Sequence, residues 1–248
     1  ISVLVQNNLT PVFVDIEYTT LNFDITKIEE KITPKTKAIF VSPVLGNVPD
    51  IDFLTELCKK HDIKLIGDSC DSIGTKWNGK HLSEYYEAWT SSFYPAHHIS
   101  TGEGGAVCTN IPALKRLFTS FAWWGRDCYC VGAKNLLSCG TCGKRFSRWL
   151  ESYDGIIDHK YVFTNMGYNL KPMDLQGSIG LVQLKKFEEI DTNRKQQFRK
   201  KGLPPGSPHM RRGTRCTCLI PFCHSFLVFV RYFGFMLAPL FILKAFTQ

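Results

Sequence analysis

Between Val12 and Gly74 short apolar runs alternate with helical patterns, and this rhythm restricts the chain to few architectures. Val12-Phe13-Val14 is followed by Ile25, Ile28 and Ile32 behind Asp24 as a candidate cap, then by Ala38-Ile39-Phe40-Val41. A second helical stretch runs from Ile51 to His61 and leads into Lys64-Leu65-Ile66-Gly67-Asp68. Strands at this interval pair in parallel, because a chain returns to one sheet in the same direction only through a crossover. The expected build is α/β: a mostly parallel sheet with helices on both faces, whose function gathers at the C-terminal ends of the strands.

Further along, Ser91-Ser92-Phe93-Tyr94 and Gly105-Ala106-Val107-Cys108 read as two more short strands, followed by a helix from about Ala113 to Ala122. From Met173 the positions Leu175, Ile179, Leu181, Val182, Leu184 and Phe187 give a long helix ending near Lys201. Residues 127–158 hold four cysteines and several glycines in a stretch too long for an ordinary connection, which marks a functional or metal-pinned loop. The expected organisation is one partial α/β domain over 1–201, containing that loop, and an atypical tail over 202–248, frameshifted or disordered.

The length of 248 residues, 44% hydrophobic, suffices for one substantial core. The net charge is +8, but five Lys or Arg and no acid lie beyond residue 201, which leaves +3 on residues 1–201. A nearly neutral body argues against a nucleic-acid partner, which calls for a basic stripe on the folded domain. The N-terminus opens on Ile1-Ser2-Val3-Leu4-Val5 without a basic leader and reads as mid-fold sequence, with elements expected upstream. Ten cysteines without a secretion signal favour metal, redox or packing roles over a disulfide scaffold, and a cytoplasmic location. Leu219 to Phe246 is largely apolar, yet His224, Arg231, Pro221 and Pro239 interrupt it, so neither half reaches the roughly 20 residues of a membrane span.

Read alone, the pair His97-His98 is a structural feature, Asp68 an ordinary strand-end acid, and Asn169 and Lys171 solvated turn residues. Gly102-Glu103-Gly104-Gly105 lacks the spacing of a phosphate cradle and reads as a tight turn.

Five motifs change these readings: Gly67-Asp68-Ser69-Cys70-Asp71-Ser72-Ile73-Gly74, Ser92-Phe93-Tyr94-Pro95-Ala96-His97-His98-Ile99, Gly102-Glu103-Gly104-Gly105-Ala106-Val107, Trp124-Gly125-Arg126-Asp127-Cys128-Tyr129-Cys130 and Gly167-Tyr168-Asn169-Leu170-Lys171. Together they make residues 11 to about 200 resemble the sugar aminotransferase family of fold-type I pyridoxal-phosphate enzymes, and within it the nucleotide-sugar 3-dehydrases of dideoxysugar biosynthesis. The resemblance implies part of the major domain of that fold, with N- and C-terminal parts missing. It places His97 where an aminotransferase carries its cofactor lysine. Histidine cannot hold the cofactor covalently and can only move protons near pH 7, so pyridoxamine 5'-phosphate bound non-covalently is implied. Asp68 becomes the carboxylate facing the pyridine nitrogen and Ser92 a phosphate-binding hydroxyl. Asn169 becomes a residue that reaches a neighbouring subunit's phosphate, hence a homodimer. Lys171 stands where most of the family has arginine; it suits phosphate but lacks the bidentate fork.

Cys70, Cys128, Cys130 and Cys142 fall in the order C-x57-C-x-C-x11-C. The first three positions are spaced as in the cluster-bearing 3-dehydrases and the last interval is four residues longer, so the resemblance implies a [2Fe-2S] cluster with Cys142, or else Cys139, as fourth ligand. Four thiolates around two irons make a low-potential relay, which a reductive deoxygenation needs. The alternative is a structural zinc site built from Cys128, Cys130, Cys139 and Cys142. Cys58 and Cys108 read as small buried hydrophobes.

The expected activity is removal of the C3 hydroxyl of a nucleotide-linked 4-keto-6-deoxyhexose, a CDP sugar of O-antigen biosynthesis. His97 moves the proton, and an NADH-dependent flavin and iron-sulfur reductase supplies electrons. Two rivals stand beside it: a cluster-free 3-dehydratase that takes its amino group from glutamate, and a catalytically silent fragment whose zinc loop is only structural.

Overall fold

The computed structural model describes residues 1–18, 20, 22–128, 145–147, 153–200 and 240–245. They belong to two compact units, residues 1–109 with 174–248 and residues 110–173.

The first unit holds a short helix α1 (Ser2–Gln6) and a six-stranded sheet of β1 (Leu9–Val14), β2 (Thr36–Val41), β3 (Lys64–Asp68), β6 (Ala88–Ser92), β7 (Gly105–Thr109) and β8 (Leu240–Ala245), ordered β1-β8-β2-β3-β6-β7. β2 pairs with β3 and β3 with β6 in parallel, whereas β7 and β8 run antiparallel to their neighbours. Four strands therefore share one direction, the α/β arrangement expected. β7 turns back because the link from β6 carries no crossover helix. β8 lies inside the atypical tail, 202–248, expected to be frameshifted or disordered. Leu240-Phe241-Ile242-Leu243 is an apolar run of strand length without a helical period, and its backbone bonds β1 and β2 on its two sides.

Helix α2 (Ile51–His61) has the predicted bounds. Asp50 caps it by accepting from the Phe53 amide, Asp62 ends it in the left-handed conformation, and Ile51, Leu54, Leu57 and Cys58 form its buried stripe. These residues join Ile39, Val41, Leu65, Val14 and Ile28 in the core. The Ile25–Ile32 pattern is two 3-10 turns, Ile25–Lys27 and Glu29–Lys31, instead of one helix, although Asp24 caps as expected. Eight residues stopped by Thr33-Pro34 are too few to offset helix nucleation, so burial of Ile28 sets the conformation. A hairpin of β4 (Lys76–Trp77) and β5 (Lys80–His81) turns on Asn78-Gly79, both at positive φ. Trp77 Nε1 donates to Asp52 Oδ2 at 2.9 Å and ties the hairpin to α2. The predicted long C-terminal helix is two, α4 (Asp174–Lys185) and α5 (Phe187–Lys200), divided at Lys186.

Gly67 allows β3 to lie against the buried Tyr86, because a Cβ at that position would enter the Tyr86 ring. Gly67→Ala is expected to destabilise the chain by about 1–3 kcal/mol through this overpacking. A urea midpoint equal to wild type would refute the constraint.

In the second unit, α3 (Pro112–Ala122) leads into a stem held by antiparallel bridges between Trp123 and Asn169 and between Arg126 and Phe163. Gly125, at φ 84°, packs directly on the Asn165 backbone, where no side chain fits. Arg145 holds Asp158 through two bonds of 2.7 and 2.5 Å, and the buried His159 meets Asp127 at 2.9 Å. The stem of the cysteine loop is thus pinned by one ion pair and one histidine–carboxylate contact. Among the described residues, no helix is long and apolar enough to cross a membrane.

Candidate active site at the strand ends

Asp68 closes β3 and stands in register with Thr90 of β6. Its Oδ1 accepts from Thr90 Oγ1 and from the Cys70 amide, both at 3.1 Å, which fixes the plane of the carboxylate. Burial pushes the Cys70 thiol up to about 12, and the hydrogen bond to Asp68 and the Asp68 charge add to the effect. Ser92, the last residue of β6, accepts from the Tyr94 amide at 3.2 Å.

Beyond Ser92 the chain folds into a closed loop. Thr101 N donates to the Phe93 carbonyl and Phe93 N to the Gly104 carbonyl, each at 2.9 Å. On this loop His97 Nδ1 lies 2.9 Å from Asp71 Oδ1. The Tyr94 ring meets the imidazole edge-on at 6.2 Å, and Arg194 of α5 donates to the His97 carbonyl at 3.2 Å. His98 is only 6% exposed, in keeping with a structural role, and burial lowers its pKa to about 4, with the charges of Arg194 and His97 acting in the same direction. A carboxylate at one strand end, a hydroxyl at the next and a carboxylate-held imidazole on the loop between β6 and β7 therefore belong to one unit. Such a set can bind a protonated ring nitrogen, hydrogen-bond a phosphate, and move a proton.

The other expected ligands lie in the second unit. Asn169 sits on the stem beside Trp123, and Lys171 Nζ stands 3.9 Å from the centre of the Trp124 ring and 5.5 Å from that of Trp123. Arg126 packs on the same Trp124 ring at 4.6 Å. Of the expected cluster ligands, Cys70 lies in the first unit and Cys128 in the second, both half-buried, while Cys130 and Cys142, like Cys139, lie outside the described residues. Among the described residues no group of three or more side chains could hold a metal ion. Cys58 is buried, as expected of a small hydrophobe, and Cys108 is half-buried on β7.

Asp71, Thr90 and Arg194 carry roles that the sequence alone does not assign. Asp71 lies three residues beyond Asp68 inside one of the five motifs, so a second carboxylate is visible there, but its partner 26 residues away is not. Arg194 is 97 residues from the carbonyl it holds and leaves no local signal.

Residues 1–200 match the family model described as the DegT/DnrJ/EryC1/StrS aminotransferase family. The chain is 45% identical over 195 residues to lipopolysaccharide biosynthesis protein RfbH of Salmonella typhimurium, covering 78% of this chain and 44% of that protein. It is 41% identical over 206 residues to dTDP-4-dehydro-2,6-dideoxy-D-glucose 3-dehydratase of Saccharopolyspora spinosa, covering 81% and 44%. Its fold is similar to that of E. coli GDP-4-keto-6-deoxy-D-mannose-3-dehydratase solved with hydrated PLP, with a TM-score of 0.59, 28% identity, and coverage of 75% of this chain and 45% of that one. The chain thus spans less than half the length of these relatives.

Proposed function

The chain belongs to the DegT/DnrJ/EryC1/StrS aminotransferase family, and from that premise we propose that the protein is a nucleotide-sugar 3-dehydrase that removes the C3 hydroxyl of a nucleotide-linked 4-keto-6-deoxyhexose in deoxysugar biosynthesis. The observation that carries this reading is the 2.9 Å contact of the His97 imidazole with Asp71, on a loop that resembles the family's lysine loop with histidine in the lysine's place. The names of the Saccharopolyspora and E. coli relatives, both 3-dehydratases, support it.

Pyridoxamine phosphate fits the donor set of the first unit and, when bound, supplies the amine that engages the sugar ketone and a ring that accepts electron density. Asp68, its carboxylate plane fixed by Thr90 and the Cys70 amide, holds the proton on the ring nitrogen. Ser92 Oγ binds the phosphate, with Asn169 and Lys171 brought by a second copy of the chain in a two-fold dimer. His97 Nε2 takes and returns the proton at the reacting carbon, while Asp71 occupies Nδ1.

We further propose that Cys70, Cys128, Cys130 and Cys142 hold a [2Fe-2S] cluster fed by a flavin and iron-sulfur reductase. Cys70 supports this as a free thiol beside Asp68. The cluster-free reading draws on the likeness to the E. coli enzyme solved with PLP.

The experiment is to offer CDP-, GDP- and dTDP-linked 4-keto-6-deoxyhexoses with pyridoxamine phosphate and reductase to anaerobically reconstituted protein. The expected result is loss of the C3 oxygen, about two irons per chain, and cluster loss with arrest of reduction in Cys128→Ser. Stoichiometric zinc without iron would defeat the relay. Deoxygenation by iron-free protein with glutamate would establish the cluster-free alternative.

A further inference from the structure

We propose that Asp71 is a positioning residue that fixes the tautomer of His97, an inference that rests on the reading of His97 as the proton-transfer group. The imidazole has two nitrogens, and only one carrying a lone pair can accept a proton. Asp71 Oδ1 lies 2.9 Å from Nδ1. A carboxylate accepts hydrogen bonds and donates none, so this contact requires the ring proton on Nδ1 and leaves the lone pair on Nε2.

The surroundings hold the ring in that orientation. Its side chain is 20% exposed, that of Asp71 is 37% exposed, and the Tyr94 ring stands edge-on against the imidazole. Arg194 anchors the backbone through the His97 carbonyl at 3.2 Å, and the His97 amide donates to the Tyr94 carbonyl at 3.0 Å. Nε2 has no hydrogen-bond partner among the described residues, so it is the nitrogen available to a reacting group.

Asp71 reaches this place because it lies just past the C-terminal end of β3, three residues beyond Asp68. One turn of chain thus presents a carboxylate fixed by β6 and another fixed on the histidine loop. Without Asp71, the neutral ring would be free to carry its proton on Nε2, and the competent form would be reduced to a fraction of the population.

The test has two readouts. The first is the nitrogen-15 spectrum of the histidine-labelled full chain above the imidazole titration range, with His97→Asn identifying the His97 signals. Wild type is expected to show a protonated Nδ1 and a bare Nε2, and Asp71→Ala to move population to the Nε2-protonated form. Asp71→Glu should restore part of the original pattern. Asp71→Asn, equal in volume, serves as second variant if the alanine chain fails to fold, because its amide can donate to Nδ1 and force the proton to Nε2. The second readout is turnover of the full chain loaded with pyridoxamine phosphate. Asp71→Ala should lower kcat by up to about 10²-fold with KM little changed, and Asp71→Glu should recover part of the loss.

A wild-type Nε2 that carries the proton, or an Asp71→Ala chain with the wild-type tautomer and kcat, overturns the proposal. A tautomer that depends on Asp71 in a chain without any 3-dehydration supports the positioning and counts against the proposed function, so the two failures are distinct.

Discussion

Replacing His97 by asparagine is expected to cut the rate of the proposed 3-dehydration by roughly 10²–10⁴-fold, the range contributed by a positioned general acid or base. Asparagine retains a hydrogen-bonding group toward Asp71, and nothing in its short side chain disturbs the closed loop between Phe93 and Gly104. It has no group that titrates, so it cannot carry a proton from one step to the next. Asp68 and Ser92 belong to the strands and do not depend on His97 for their own hydrogen bonds. Binding of pyridoxamine phosphate, followed by its absorbance change on equilibrium titration, should therefore remain close to wild type. Undiminished turnover in this variant would remove His97 from the chemistry.

The second large effect is one of stability. His98 titrates at about 4 when folded against an ordinary value of 6.5, because burial disfavours its charged form and the charges of Arg194 and His97 add to the cost, with Asp191 opposing them. Above pH 6.5 both states are neutral at this position and His98 imposes no penalty. As pH falls from 6.5 toward 4 the unfolded chain binds a proton that the folded chain refuses, so folding weakens across that window. The full loss is about 3 kcal/mol, because a tenfold weaker hold on the proton in the folded chain corresponds to about 1.4 kcal/mol. Below pH 4 both states are protonated and the loss stops growing. Urea midpoints of wild type and His98→Gln, compared from pH 7.5 to 4, isolate this group from the carboxylates that also titrate there. The variant should lose less stability on acidification than wild type. Parallel curves would show that His98 is protonated as readily in the folded chain as in the unfolded one.

The fold is most legible in the sequence where local and long-range demands coincide. Helix α2 has the predicted bounds because its cap at Asp50, its apolar stripe and its left-handed stop at Asp62 agree with the core it enters. β3 is equally clear, since its bounds at Lys64 and Asp68 coincide with a short apolar run ended by an acid. Where the signals are purely periodic, packing alters the outcome. The Ile25–Ile32 segment has helical spacing but too little length, and the pattern beyond Met173 is interrupted at Lys186. β8 has no amphipathic period to announce it, and its backbone finds hydrogen bonds only in two strands more than 190 residues away.

By itself the amino-acid sequence determined the α/β class and the strand-end position of Asp68, and its motifs supply the resemblance from which His97 is proposed to stand in the lysine's place. Those properties reside in short windows, where periodicity, turn chemistry and residue type act between neighbours. Only the tertiary structure decided that Thr90 fixes the Asp68 carboxylate, that Asp71 takes Nδ1 of His97, and that Arg194 holds the loop by the His97 carbonyl. These contacts join residues 22, 26 and 97 positions apart, and a hydrogen bond depends on sub-ångström placement that only the pairing of strands and the closure of the loop can provide.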